Sequence, residues 1–398
     1  MAVLFRVTTV PISLKNLIVG QLPYMKEHGF KPIMLSADGP EREVAMKEQD
    51  CPHIILGLTR KITPLQDLKA LWHFYKLCRR YRPAIIHSHT PKAGIIAMLG
   101  GKLAGVPIRL HTVAGLYLLE TSGLRRYILE MVEKLTYACA TKVYPNSSNL
   151  AEIISDSLYH NPEKLKVIGN GSSNGINTAF FSRSTLSAEK QQQLKESLRV
   201  RENDFLFVFV GRIVKDKGIQ ELIAAFTKLN LQHPNCKLLL VGPLEQDLDP
   251  VPEETLEQIE KNPGIISVGY QSDVRPYLAL SHALAFPSYR EGFPNVPMQA
   301  GCFDLPCIVT DINGCNEIIE EGENGLIIPP KATDELYEAM EKLLVDQALY
   351  ARLSGKARRM IVERYEQTHL WKLLLKEYQE HLKKYETVPT LHQTAPRF

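Results

Sequence analysis

The chain has 398 residues, 44% of them apolar and 23% charged, with a net charge of +3; this is too long for one ordinary core, and two α/β domains of a soluble protein are expected. No run approaches the ~18 apolar residues of a membrane span, and Arg6 interrupts the first apolar run, which argues against a signal peptide and for a cytoplasmic protein. Seven cysteines, an odd number without a CxxC, point to reduced, buried thiols and away from a disulfide framework or a zinc site.

From the amino terminus, strand and helix alternate. Leu4 to Thr9 reads as a strand and Leu14 to His28 as a helix. Lys31 to Ser36 is a strand, and a helix runs from Pro64 to Arg80. Ala84 to Ser88 is a strand, Lys92 to Ala104 a helix, Ile108 to Thr112 a strand and Leu124 to Ala140 a helix. Lys142 to Pro145 and Lys166 to Ile168 complete the set. Short apolar runs between periodic helices predict a parallel, doubly wound sheet. Its ligand edge is at the carboxyl ends of the strands, in the loops after Thr9, His89 and Thr112. The turn-rich GNGSSNG (169–175) and the polar stretch from Ser182 to Ser187 place a hinge. A second series runs from Phe205 to Pro329 and is followed by helices, the last of them long and amphipathic from Met360 to Tyr385. The tail from Thr387, with Pro389 and Pro396, is expected to fray.

Two segments of the second series carry chemistry. In FLFVFVGRIVKDKGIQELIAAF a buried strand meets a glycine turn with Arg212 and Lys217, and a helix opens near Gly218. Two cations beside a helix N-terminus suit a diphosphate, although each taken alone reads equally well as a solvated charge. In ALAFPSYREGFPNVPMQAGCFDLPCIVTDINGCNEIIEEGENG (283–325) a strand leads into a turn with Glu291, Gly292 and Phe293, then a short helix, then a strand ending at Thr310. Backbone N–H groups suit an oxygen-rich anion there, and Glu291 can accept from hydroxyls. Gln299 follows about two helical turns later, on roughly the same face. Many donors and one carboxylate at strand ends are what a sugar nucleotide needs.

The order GRIVKDKG, LLLVGP, FPSYREGFPNVPMQA, IVTDINGCNEII resembles the carboxyl-terminal half of the family 4 retaining glycosyltransferases. IIHSHTPKAG, GVPIRLHTVAG and VIGNGSSNGINTAFF are similar to amino-terminal and linker motifs of their capsule and O-antigen members. The resemblance implies the GT-B fold, two Rossmann-like doubly wound domains facing across a cleft. The acceptor domain would comprise residues 1–180 plus about 366–386, with the last helix crossing back, and the donor domain residues 181–365. It implies transfer from a nucleotide sugar, UDP-linked, to a glycan or a polyprenyl-diphosphate-linked sugar, without metal or other cofactor. Arg212 and Lys217 would stabilise the leaving diphosphate and Glu291 would hold sugar hydroxyls. Gly211, Gly292, Phe293, Pro294 and Asn295 would surround the donor, and Tyr270 would flank the base. Where the family has a second glutamate gripping the ribose this chain has Gln299, which can accept from one hydroxyl and donate to another. The alternatives are a GT-B epimerase or phosphorylase, or a non-catalytic sugar-nucleotide-binding subunit.

Other features have two readings. His111 is either a satisfied histidine at a strand end or a group beside the donor sugar. The family often reads HTVHG where this chain has Ala114, so either His111 or backbone near Ala114 and Gly115 would serve. Thr9, His89, Lys92 and Gly115 are the acceptor-side candidates, Lys92 through an acceptor phosphate. Asp247 and Asp249 imitate a DxD metal pair outside its usual context. Residues 1–170 hold 22 Lys and Arg against 13 Asp and Glu, and the remainder 25 against 31. A basic first half suits a phosphorylated acceptor or an anionic membrane surface, or merely solvates helix faces.

Overall fold

Successive residues of the first strand, β1 (Ala2–Val7), go to opposite faces of a sheet. Leu4 joins one core cluster, Phe5 and Val7 another, so both faces are covered, as in parallel sheets generally. The computed structural model describes residues 1–387 apart from positions 62, 117, 119, 120 and 248. After β1 come α1 (Pro11–Leu17), α2 (Gln21–Glu27), β2 (Phe30–Ser36), α3 (Arg42–Gln49), β3 (His53–Ile55), α4 (Pro64–Tyr81), β4 (Ile85–His89), α5 (Pro91–Leu103), β5 (Ile108–Val113), α6 (Gly123–Cys139), β6 (Lys142–Pro145) and α7 (Ser148–Ser157). The strands form one six-stranded sheet in the order β3-β2-β1-β4-β5-β6, with every pair parallel.

The chain leaves this unit between Asn174 and Gly175 and returns between Gln367 and Thr368. The second unit holds α8 (Ala188–Ser197), β7 (Phe205–Val210), α9 (Ile219–Gln232), β8 (Cys236–Val241), α10 (Glu253–Lys261), β9 (Ile265–Ser267), α11 (Arg275–Leu280), β10 (Ala283–Phe286), α12 (Asn295–Gly301), β11 (Cys307–Thr310), α13 (Cys315–Ile318), β12 (Gly325–Ile328), α14 (Thr333–Val345) and α15 (Gln347–Tyr365). Its sheet is also six-stranded, in the order β12-β11-β10-β7-β8-β9. The near-continuous apolar runs of β7 and β8 are buried on both faces. The last helix, α16 (Gln367–Thr387), belongs from Thr368 to the first unit. There Leu374, Leu375 and Tyr378 cover the face of the sheet that carries Leu4, Ile85 and Leu110.

Several sequence expectations are corrected. Leu14 to His28 is two helices, because Gly20 takes a left-handed φ of 75° between them. Lys166 to Ile168 is no strand; Leu165 makes a single bridge to Val143. Met360 to Tyr385 is broken at Glu366, where the backbone turns extended and Gln367 N donates to Ile176 O at 2.9 Å. α3, β3 and α7 were not foreseen. The tail from residue 388, expected to fray, lies outside the described residues. All seven cysteines are free and buried.

Candidate functional site

In the second unit β7 and β10 lie side by side although β8 and β9 intervene in sequence. Such a reversal of winding opens a crevice between the loops at the carboxyl ends of the two strands. The two loops here are the motifs picked out in the sequence, and they are locked together. A short 3-10 turn, Lys215–Lys217, follows β7, and Gly218 ends it with φ 68°. A Cβ at Gly218 would stand 2.1 Å from Pro287 O, so only glycine lets the loops come this close. Tyr289 N donates to Asp216 O at 2.9 Å, and Arg290 pairs with the Asp216 carboxylate at 2.9 Å.

Beside these bonds Lys217 Nζ meets Glu291 Oε1 at 2.6 Å, with side chains 15% and 16% exposed. Ser288 Oγ donates to the same oxygen at 3.0 Å. A third loop, after β11, joins in: Asn313 Nδ2 donates to Gly292 O at 2.5 Å, and Thr310 Oγ1 donates to Ser288 O. The site is thus a rigid bed of three loops carrying one ammonium and one carboxylate, both partly open to solvent. Phe293 packs edge-on against Tyr365, ring centres 5.6 Å apart. Pro294 precedes α12, on which Asn295 is exposed and Gln299 half-buried.

Arg212 follows Gly211 at the end of β7 and is exposed; it pairs with Glu245 of the loop after β8 at 3.1 Å. Tyr270, after β9, is 73% exposed. Asp249 is engaged with backbone: its Oδ2 accepts from Asp216 N at 2.6 Å and its carbonyl from Lys215 N. It shapes the Lys217 turn. Among the described residues no group of three or more His, Cys, Asp or Glu is placed to share a metal ion.

The first unit reverses likewise between β1 and β4. Thr9 N and Oγ1 both meet Thr90 Oγ1, at 3.1 and 2.8 Å, tying the two loops, and Gly115 is half-buried in the loop after β5. Three candidates are buried or already engaged here. His111 lies within β5 and points into the core, 2% exposed. Its Nδ1 meets Ser88 Oγ at 2.8 Å, and α5 approaches it through Gly94, where a Cβ would stand 2.5 Å from the ring. Burial lowers its pKa to about 4, so it is neutral near pH 7 and fits the reading as a satisfied histidine at a strand end. Lys92 is tied to the Asp67 carboxylate at 2.7 Å and to Thr59 Oγ1, Thr63 Oγ1 and Lys61 O. These acceptors are enough for its three protons. His89 is 1% exposed and held by Arg6 at 2.7 Å, enclosed below the loop edge.

Sequence reasoning missed Asp216, Ser288, Arg290 and Asn313. A signal was present for two of them: Asp216–Lys217 and Arg290–Glu291 are adjacent opposite charges in order to pair crosswise.

The comparisons with known proteins agree with this geometry. A family model described as Glycosyl transferases group 1 matches residues 190–360, and one described as Glycosyl transferase 4-like domain matches residues 21–171. The chain is 31% identical to the capsular polysaccharide biosynthesis glycosyltransferase CapM of Staphylococcus aureus, over 96% of this chain and 98% of that one. It is 29% identical to the Escherichia coli UDP-Gal:alpha-D-GlcNAc-diphosphoundecaprenol alpha-1,3-galactosyltransferase, over 73% and 74% of the two chains. The solved structure of Anabaena Alr3699/HepE in complex with UDP shares the fold, with a TM-score of 0.79 and 18% identity, covering 96% of this chain and 100% of that one.

Proposed function

The chain belongs to the group 1 glycosyltransferases and has their GT-B fold, and on that premise we propose that it transfers a sugar from a UDP-sugar to a polyprenyl-diphosphate-linked sugar, with retention of configuration and without a metal ion, in cell-surface polysaccharide synthesis. The observation that carries this is the Lys217–Glu291 pair at the reversal of the second sheet. A nucleotide sugar brings an anionic diphosphate and a neutral, hydroxyl-rich ring, and this site offers one group for each. Lys217 and Arg212 neutralise the charge that grows on the leaving diphosphate, and Glu291 accepts from sugar hydroxyls. Catalysis of this kind is preorganised electrostatics and positioning, with no protein nucleophile.

The donor and acceptor classes draw on the relatives. The Escherichia coli relative's name gives UDP-Gal and a diphosphoundecaprenol acceptor, the Anabaena fold neighbour holds UDP, and the Staphylococcus aureus relative is named for capsule synthesis. Metal independence is supported by Asp249, whose Oδ2 accepts from the backbone of the Lys217 turn.

A lipid-linked acceptor requires the enzyme to work at the cytoplasmic face of a membrane. Among the described residues no helix is long and apolar enough to cross one. On α4, however, Leu65, Leu68 and Trp72 are exposed, and on α6 Leu124, Tyr127 and Met131. Both helices pack beside α5, and both carry basic residues, among them Lys69, Lys76, Arg79 and Arg80 on α4. Apolar stripes edged by cations suit peripheral binding to an anionic bilayer.

The deciding assay supplies UDP-sugars with and without a polyprenyl-diphosphate-linked sugar in excess chelator. Free UDP that appears only with the acceptor, and a product of the donor's anomeric configuration, supports the reading. UDP release independent of acceptor, an inverted product, or strict dependence on a divalent cation would overturn the corresponding part.

A further inference from the structure

β10 and β11 run side by side with Phe286 opposite Val309. Thr310, the last residue of β11, therefore meets Ser288, two residues past β10, at the carboxyl edge of the sheet. Thr310 Oγ1 donates to Ser288 O, and Ser288 Oγ reaches Glu291 Oε1 at 3.0 Å. Ser288 and Thr310 are both 0% exposed. A ligand in the crevice cannot touch either of them, so anything they do for it they do through Glu291.

The Ser288 hydroxyl has one proton and three acceptors in reach: Glu291 Oε1 at 3.0 Å, Arg290 O at 3.1 Å and Asp216 O at 3.4 Å. The carboxylate is both the nearest and the charged one, and charge-assisted bonds are the stronger, so the proton goes there. Lys217 Nζ reaches the same oxygen at 2.6 Å. A carboxylate oxygen offers about two lone-pair sites, and on Oε1 both are taken. Glu291 Oε2 has no partner among the described residues, and the side chain keeps 16% of its surface exposed.

The end torsion of a glutamate is broad and two-fold. Held by Lys217 alone, the two oxygens of Glu291 could exchange places, because an ammonium on a flexible stem follows either one. A second donor fixed to the bed of the site stops that rotation.

We propose that Ser288 is a positioning residue for the transfer: with Lys217 it pins Glu291 Oε1, and so presents Oε2 as a single acceptor of fixed direction to the hydroxyls of the transferred sugar. Thr310 holds Ser288 in register. This rests on the reading of Glu291 as the group that accepts from the sugar, and adds which oxygen does so and what aims it. The arrangement serves the sugar and not the nucleotide.

The test uses the full chain and whichever UDP-sugar turns over in the transfer assay. Ser288→Ala is expected to lower kcat/KM about 10- to 100-fold, the loss of a hydrogen bond to a charged group, and to leave the affinity for UDP alone unchanged. A merely structural serine would weaken UDP and the UDP-sugar alike, and an equal loss for both overturns the proposal. A double-variant cycle locates the effect. In a Glu291→Ala background Ser288→Ala is expected to cost little, since nothing is left to aim; additive losses overturn the proposal. Normal turnover in Glu291→Ala would remove the reading of Glu291 itself, and this role with it. An impaired Glu291→Ala beside a normal Ser288→Ala would overturn the role of Ser288 alone. If Ser288→Ala does not fold, Thr310→Val serves, since it keeps the shape and removes only the hydroxyl that holds Ser288. It is expected to show the same sugar-specific loss at smaller size, and no loss there overturns the proposal.

Discussion

Lys217 Nζ stands 2.6 Å from Glu291 Oε1, an ion pair between residues 74 apart in sequence that spans the reversal between β7 and β10. In the proposed reading Lys217 meets the diphosphate and Glu291 the sugar, and each holds the other in place. Lys217→Ala is expected to cost about 2–4 kcal/mol in kcat/KM, the loss of one aimed charged donor. The pair also predicts a coupling in stability. Either single truncation strands a partly desolvated charge, so the double variant Lys217→Met, Glu291→Gln should be more stable than the two singles summed, by roughly 0.5–3 kcal/mol in urea unfolding. Strictly additive effects would separate the two residues.

Arg212 offers the contrasting case. Its pair with Glu245 is 3.1 Å long with side chains 45% and 37% exposed, so its contribution to folding is about 0–1 kcal/mol. Arg212→Ala should leave the urea midpoint nearly unchanged and still lower kcat/KM by about 2–4 kcal/mol if the guanidinium turns to the donor diphosphate. Normal turnover in the folded variant removes Arg212 from the diphosphate.

The two sheets were legible because short apolar runs between periodic helices are a local signal, and GRIVKDKG and FPSYREGF stood out by their glycines and charges, although the Lys217–Glu291 pair between them was not foreseen. The histidines were not legible. Their position at strand ends suggested a ligand edge, but which face each takes depends on register: His87 and His89 share the α16 face with Ile85, whereas His111, one residue after Leu110, faces α5. Lys92 was ambiguous because a helix-start lysine reads the same whether its acceptors are phosphate or, as here, Asp67 and a folded loop. The breaks at Gly20 and Glu366 are set by tertiary packing, which an amphipathic pattern does not report.

Those buried histidines predict acid sensitivity. Burial lowers His111 to about 4, and burial and then the Arg6 charge hold His87 and His89 well below the ordinary 6.5. Well above pH 6.5 neither state binds these protons and the full stability is present. As the pH falls through 6.5 the unfolded chain gains protons that the folded chain refuses, so stability falls with pH, by up to about 1.4 kcal/mol per pH unit for each histidine. Buried Glu133, raised to about 7, works the other way, since the folded state keeps its proton between about 4.5 and 7; three histidines outweigh it. Urea midpoints at pH 7.5, 6.5 and 5.5 should decline in that order, and His111→Asn should lessen the slope. A midpoint that rises on acidification contradicts the assignment.

Membrane binding should show both an electrostatic and an apolar part. Each basic residue near an anionic surface adds about 1 kcal/mol, screened by salt. Co-sedimentation with anionic liposomes should weaken sharply between low and physiological salt, and Trp72→Ser or Met131→Ser should weaken it further at fixed salt. Binding indifferent to salt, or none to anionic lipid, would remove α4 and α6 from the bilayer.

Gln299 is where this chain departs from the two-glutamate pattern it resembles, and it gives the sharpest test of how the donor lies. It is half-buried on α12 between the buried Met298 and Ala300. If it holds the ribose, Gln299→Ala should weaken UDP and the UDP-sugar by a similar factor, since the ribose is common to both. Gln299→Glu would exchange neutral hydrogen bonds, worth about 0.5–1.5 kcal/mol, for charge-assisted ones of about 1.5–3. The neighbouring diphosphate repels the added charge, which subtracts from the gain. The net expectation is tightening of at most about 1 kcal/mol, or no change. Isothermal titration of both ligands against both variants measures it, and an effect confined to the intact UDP-sugar would move Gln299 from the ribose to the transferred sugar.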